Sequence, residues 1–298
     1  MSTLAYEIVD VFTDRPFTGN PLAVVFGADG LAGDQMLAMA KEFNLSETVF
    51  VLPPTAAGAT YRARIFTPGS ELPFAGHPSV GAAVTAMRRG MFGTGTVVQE
   101  CGAGLLPVEV AGSSSVVGGS ARLTGGTPTL GEPVGPEPLL GMVGLSAADF
   151  AGGDPAVPRR AGCGLEFDYL PVRRPALATA AADPAVAAAL GVSQISVFAW
   201  EPESRTGYAR VFCPGVAVPE DPATGSAALG LGVWLVAAGW LPPAAESAYT
   251  VHQGMEMGRP SVLECTVTAD EGRAVRATVS GHVVPIARGE IAVPPFVG

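Results

Sequence analysis

One pattern occurs twice in this chain, its matching arginines Arg64 and Arg210 standing 146 positions apart. The first copy runs Arg64-Ile65-Phe66-Thr67-Pro68-Gly69, a short stretch with Glu71, Gly76-His77, and an uncharged apolar run from Pro78 to Met87. The second runs Arg210-Val211-Phe212-Cys213-Pro214-Gly215, then Glu220-Asp221-Pro222-Ala223-Thr224, Gly225-Ser226 and an uncharged run to Gly239. Strand, loop, glycine and apolar helix, twice over, constrain the chain to two similar lobes. A helix apolar on all sides needs cover on all sides, so each lobe must curl its sheet around its helix. Each copy also presents a helix N-terminus, where unpaired N–H groups and a partial positive charge attract anions. If the lobes face each other, the two ends form one cleft with two carboxylate-binding poles.

The rest of the chain supplies the sheets. Tyr6–Phe12, Pro21–Phe26, 48–52, 61–66, 96–99, 105–110 and 115–123 read as strands of the first lobe. Asp34 can cap a helix carrying Met36, Met39, Ala40 and Phe43, which stops at Asn44. Strands of the second lobe are expected at 195–200, 208–212, 249–253, 262–268, 275–279 and 290–293. Between them, 125–138 is rich in glycine and proline and is the natural crossing point. The predicted fold is therefore α+β, two pseudo-symmetric lobes, each a curled, mainly antiparallel sheet around a central apolar helix. The lobes are placed at 1–125 and 126–298, with the terminal strand free to cross back to the first. The stretch 154–205, rich in alanine and proline, is the least informative.

A formal charge of −10, with no lysine- or arginine-rich run, argues against a nucleic-acid partner. The apolar helices at 78–87 and 226–238 fall well short of the roughly 20 residues of a membrane span. The start of the chain has an early Glu7 in place of a signal-peptide pattern, and a cytoplasmic location is expected. Cys101, Cys163, Cys213 and Cys265 form no CxxC pair and are expected to be reduced thiols, mostly buried. No serine elbow, Walker loop, dinucleotide fingerprint or zincin motif is present, so neither a cofactor nor a metal is expected.

Among possible catalysts, Glu47 borders an apolar strand. Desolvation there would raise its pKa and let one carboxyl serve as proton acceptor and donor near neutral pH; an exposed glutamate at a helix–strand junction fits the local sequence too. His77 stands at the mouth of the first helix, between Gly76 and Pro78, where the dipole disfavours its charged form; it could equally be bonded within its loop. Asp221 and Ser226 hold the equivalent mouth, beside Gly225. Asp221 could orient His77 or meet a substrate ammonium, or could cap the helix together with Thr224. His252, on a strand, and His282, in a turn, read as structural.

These segments resemble the PhzF family of phenazine-biosynthesis isomerases, whose fold is that of diaminopimelate epimerase. The resemblance is carried by Gly19-Asn20-Pro21-Leu22-Ala23-Val24, Asn44-Leu45-Ser46-Glu47, Arg64-Ile65-Phe66-Thr67-Pro68 with Glu71 to Pro78, Glu220 to Ala227, and Gln253 to Ser261. It spans nearly the whole chain. It implies a cofactor-free isomerase with Glu47 as acid and base and His77 and Asp221 as catalytic partners. Asn20, Ser46, Gly76, Gly225 and Ser226 would hold a small carboxylate substrate, and the protein would be a homodimer. The two cysteines of related epimerases are replaced by Ala75 and Thr224, neither of which can exchange a proton, so two-cysteine epimerisation is excluded. The implied reaction is the tautomerisation of trans-2,3-dihydro-3-hydroxyanthranilate, a hydrogen moving from C3 to C1. An isomerase of another secondary-metabolite pathway, for instance on a pyrroline carboxylate, or a binding protein of the same fold without turnover, are the competing readings.

Overall fold

The computed structural model describes residues 2–113, 118–214 and 218–295. The chain divides into two compact units, Met1–Leu123 with Ser280–Gly298, and Thr124–Val279. Strands β1 (Thr3–Val11), β2 (Asn20–Phe26), β3 (Glu47–Leu52), β4 (Tyr61–Phe66), β5 (Glu71–Leu72), β6 (Gly95–Cys101), β7 (Gly104–Ala111) and β8 (Gly119–Thr124) belong to the first unit, with helices α1 (Gly33–Phe43) and α2 (Gly76–Arg88). The second holds β9 (Pro128–Pro133), α3 (Pro136–Met142), β10 (Arg159–Cys163), β11 (Glu166–Pro171), α4 (Pro184–Leu190), β12 (Ile195–Glu201), β13 (Thr206–Phe212), β14 (Glu220–Asp221), α5 (Gly225–Ala237), β15 (Ala245–Gln253) and β16 (Ser261–Asp270). Strand β17 (Arg273–Ala292) begins in the second unit and re-enters the first at Ser280. The architecture is α+β, with one apolar helix at the heart of each unit.

The sequence repeat is a repeat of pairing order. In the first unit β2 and β3 are parallel, β3 and β4 antiparallel, β4 and β5 antiparallel, β4 and β6 parallel, and β6 and β7 antiparallel. Strands β11, β12, β13, β14, β15 and β16 reproduce the same series. The first circuit closes because β1 pairs with both β2 and β17, while Gly118 N–H donates to Val283 O of β17 (3.0 Å). Helix α2 packs on β1, β2, β3, β4, β6 and β7, and its residues Gly76 to Ala86 are all buried. On the other face of the sheet, Met36, Met39 and Ala40 of α1 pack with Val25, Phe50, Leu52 and Phe66. Strand alternation sends successive side chains to the two faces, which is why one apolar run serves both helices.

Helix α5 is buried from Gly225 to Val236 and packs on β9, β10, β11 and β16. Two tyrosines bind its backbone directly, Tyr169 Oη donating to Ala227 O (2.6 Å) and Tyr249 Oη to Ala228 O (2.7 Å). A Cβ at Gly230 would overlap the Tyr169 hydroxyl, so this approach requires glycine.

Several expectations are corrected. Asp34 does not cap α1: the N-cap is Ala32, and the Asp34 carboxylate accepts from its neighbour Gln35 N–H within the first turn (2.9 Å). Strands expected at 275–279 and 290–293 are one strand, β17, and His282 lies inside it instead of in a turn. Pro285 made that stretch look broken, but it pairs with Val9 beside a register shift, where the ladder tolerates a missing N–H. The crossing region 125–138 contains β9 and the start of α3. Of the strand expected at 115–123, residues 114–117 lie outside the described residues, and the strand seen is β8. The four cysteines are not joined in disulfides, Cys163 and Cys265 being buried and the other two partly so. Among the described residues no helix is long and apolar enough to cross a membrane.

Candidate active site

Three predicted residues come together in the first unit. Asn20 opens β2 opposite Val11, and Glu47 opens the parallel neighbour β3 opposite Leu22, so both stand at one end of the sheet. Glu47 reaches that place because Asn44 ends α1 in the left-handed conformation (φ 50°), its N–H still donating to Ala40 O (3.0 Å), and turns the chain through the partly buried Ser46 into β3. Asparagine tolerates this conformation better than most residues. His77, in the first turn of α2 and 4% exposed, puts Nδ1 at 3.2 Å from Asn20 Nδ2 and Nε2 at 3.5 Å from Glu47 Oε2.

This geometry fixes the state of the imidazole. An amide nitrogen can only donate, so Nδ1 of His77 accepts from Asn20, and the ring proton sits on Nε2, facing the glutamate. At 3.5 Å a protonated imidazole would form an ion pair with Glu47. Burial instead drives the His77 pKa down to about 3, and the ring is neutral at physiological pH. The Glu47 side chain is itself only 16% exposed.

The start of α2 is braced from below. Tyr61 Oη donates to Gln99 Oε1 (2.8 Å), Gln99 Nε2 to Ser79 Oγ (2.9 Å), and Ser79 Oγ to Ala75 O (2.9 Å). All three side chains are buried, so each bond also spares a polar group the cost of going unpaired, about 1–3 kcal/mol. Arg64 of β4 holds the preceding loop through a two-pronged pair with Glu71, Nε to Oε1 and a terminal nitrogen to Oε2, both 2.7 Å. No side chain caps α2, and its first turn contains no acidic residue.

Asp221, Gly225 and Ser226 lie in the second unit, at the start of α5. Arg210 and Glu220 repeat the two-pronged pair at 2.8 Å for both contacts. The capping reading for Asp221 and Thr224 is not what forms. Asp221 accepts from the Thr224 hydroxyl (2.5 Å), and α5 has no side-chain cap. Gln253, at the end of β15, frames the mouth by accepting from Thr224 N–H (3.1 Å) and donating to Asp221 O (2.6 Å) and Thr224 Oγ1 (3.0 Å). Ser226 is buried, while Asp221 and Thr224 are partly exposed.

Sequence reading missed the braces. Gln99 and Gln253 sit on β6 and β15, the strands running parallel to β4 and β13. The available signal was a buried glutamine within an apolar strand alternation, which costs too much to keep without a polar task. Likewise the recurring Arg64/Glu71 and Arg210/Glu220 were legible as part of the repeat without revealing that they pair.

Phenazine biosynthesis-like protein, PhzC-PhzF, is the family whose pattern matches, over residues 9–289. The chain is 35% identical to an uncharacterised isomerase of Mesorhizobium japonicum, across 98% of this chain and 99% of the relative. It is 33% identical to the trans-2,3-dihydro-3-hydroxyanthranilate isomerase of Pseudomonas aeruginosa, across 95% and 98% of the two chains. Among solved structures, the Bacillus anthracis phenazine biosynthesis protein of the PhzF family superposes with a TM-score of 0.87 at 25% identity, covering 98% of this chain and 100% of that one.

Proposed function

Since the chain belongs to the phenazine biosynthesis-like PhzC-PhzF family, an isomerase family, we propose that it moves a proton within a small unsaturated amino-acid-like carboxylate, with Glu47 carrying the proton. The observation that carries this reading is the state of His77. A ring with a pKa near 3, locked as the Nε2–H tautomer by Asn20, cannot cycle protons near neutral pH. It can donate one hydrogen bond, to the Glu47 carboxylate or to a substrate oxygen as charge develops there. That leaves the carboxylate of Glu47 as the group at this mouth with an acid–base role. A single carboxyl that takes a proton from one carbon and returns it to another conserves every atom and electron of the substrate.

The proposed substrate is trans-2,3-dihydro-3-hydroxyanthranilate, the compound named for relatives at about a third identity over nearly the full chain. Its carboxylate suits an uncapped helix end. Asn20, Ser46, Gly76, Gly225 and Ser226 are proposed to hold the substrate and Asp221 to assist. For the residues of α5 the support is the repeat, which sets Ser226 in the place of His77. A second reading, an isomerase acting on another unsaturated amino-acid carboxylate, is favoured by the similarity of 35% and 34% to isomerases of uncharacterised substrate.

The test is an assay with trans-2,3-dihydro-3-hydroxyanthranilate in deuterium oxide. Turnover, with the label at the receiving carbon set by competition between return and solvent exchange at Glu47, is expected. Failure of the wild-type protein to turn over this compound, with turnover of a pyrroline carboxylate, would move the assignment to the second reading.

A further inference from the structure

We propose that Phe17 is a specificity-determining residue, the aromatic wall of the Glu47–His77 site that packs against the ring of a cyclic substrate. The connection from β1 to β2 springs from the pair Val11↔Asn20, and Asn20 is the residue whose amide reaches His77. Phe17 lies three residues before Asn20, and an extended chain covers at most about 3.3–3.6 Å per residue, so its backbone lies within roughly 11 Å of that amide's own. The connection is built stiffly. Phe12 and Thr13 N–H both donate to His282 O (2.8 and 3.3 Å), Thr13 and Thr18 share a hydroxyl contact of 2.5 Å, and Thr18 Oγ1 donates to Arg15 O (2.8 Å).

Within this frame Phe17 takes φ 64°, a left-handed conformation that disfavours every residue with a Cβ, and its N–H is held by the carboxylate of Asp10 at 2.7 Å. Asp10 is buried. A buried carboxylate thus holds the backbone of a residue whose phenyl side chain is 70% exposed to solvent. An exposed apolar residue is ordinary by itself. An exposed phenyl on a strained backbone, pinned by a buried acid at the end of the sheet that carries Asn20 and Glu47, is what a ring-contacting wall requires.

The inference rests on the proposed reading of Glu47 and His77 as the reaction site, and the experiment separates the two. Anthranilate and β-alanine carry the same spacing of amine and carboxylate, the first with a ring and the second without. Calorimetric titration of both is compared in the wild type, Phe17→Gly and Phe17→Trp. Glycine accepts φ 64°, so Phe17→Gly is expected to melt no lower than the wild type while binding anthranilate about tenfold more weakly, with β-alanine unchanged. Phe17→Trp should keep anthranilate affinity. Unchanged anthranilate binding in Phe17→Gly, equal weakening of both ligands, or no anthranilate binding by the wild type would overturn the proposal. Binding that follows the expected pattern in a protein without isomerase turnover would instead overturn the functional reading and leave Phe17 as the ring contact.

Discussion

The mouths of α2 and α5 share a scaffold and differ in chemistry. Each follows a short strand antiparallel to its predecessor, each loop is held by a two-pronged arginine–glutamate pair, each helix is thirteen residues long without a side-chain cap, and each is braced by a buried glutamine. At α2 the side chains are closed in, with a neutral histidine facing a mostly buried carboxylate. At α5 Ser226 replaces the histidine, and a partly exposed Asp221 is tied to Thr224. The two mouths share their backbone. They differ in the burial of particular side chains, and the proposal that the α2 mouth handles protons rests on that difference.

The largest expected effect tests that division. Glu47→Gln keeps the shape and loses the proton, so turnover should fall by at least about 10³ while ligand binding and melting persist. Asp221→Asn should lose no more than about 10². Steady-state kinetics of the two variants decide the point, since equal losses would place proton handling at both mouths.

Next come the two ion pairs, alike in geometry and unlike in setting. Arg210 is the more enclosed and also donates to Leu177 O (2.8 Å) and Ala180 O (2.6 Å). Arg210→Ala should cost about 2–3 kcal/mol, somewhat below the 3–5 typical of breaking a fully buried pair. Arg64 and Glu71 are more exposed, and solvent screening should hold Arg64→Ala to about 0.2–1 kcal/mol. Urea midpoints at constant slope would measure both, and an equal cost would break the distinction.

His77 gives the first mouth a pH signature that Ser226 cannot give the second. Its folded pKa of about 3 lies below the ordinary 6.5, so the unfolded chain takes up the proton first. Its contribution to stability is therefore complete above about pH 6.5 and is lost as the pH falls toward 3. His77→Gln should flatten that acid limb, seen as a smaller change in urea midpoint between pH 7 and pH 4. Identical limbs would assign the dependence to other groups.

Much of this molecule was legible beforehand. The repeat announced two units with an apolar helix in each, because hydrophobic runs of that length without charge have nowhere to go but inside a sheet. Strands such as 61–66 were bounded by turn residues and matched closely. Elements whose limits depend on distant partners were not. Strand β17 runs through Gly281 and Pro285 because β1 supplies a paired edge with a bulge, and β9 forms in a glycine- and proline-rich stretch because β10 lies beside it. Helix α1 starts at Gly33 with Ala32 as N-cap because Gln35 Oε1 accepts from Ala32 N–H (3.1 Å), while its amide binds Pro294 O from the far end of the chain (2.7 Å).

The sequence alone determined the family, the duplication, and the set of residues with chemistry to offer, because these depend on residue type and order. Only the tertiary structure decided what state those residues are in. Local sequence left His77 open between a catalytic ring and one bonded in its loop. Three segments far apart in the chain, ending at Asn20, Glu47 and Gly76, meet to bury it, assign its proton to Nε2 and hold it neutral. Protonation depends on desolvation and on which atom faces which, and both are properties of packing.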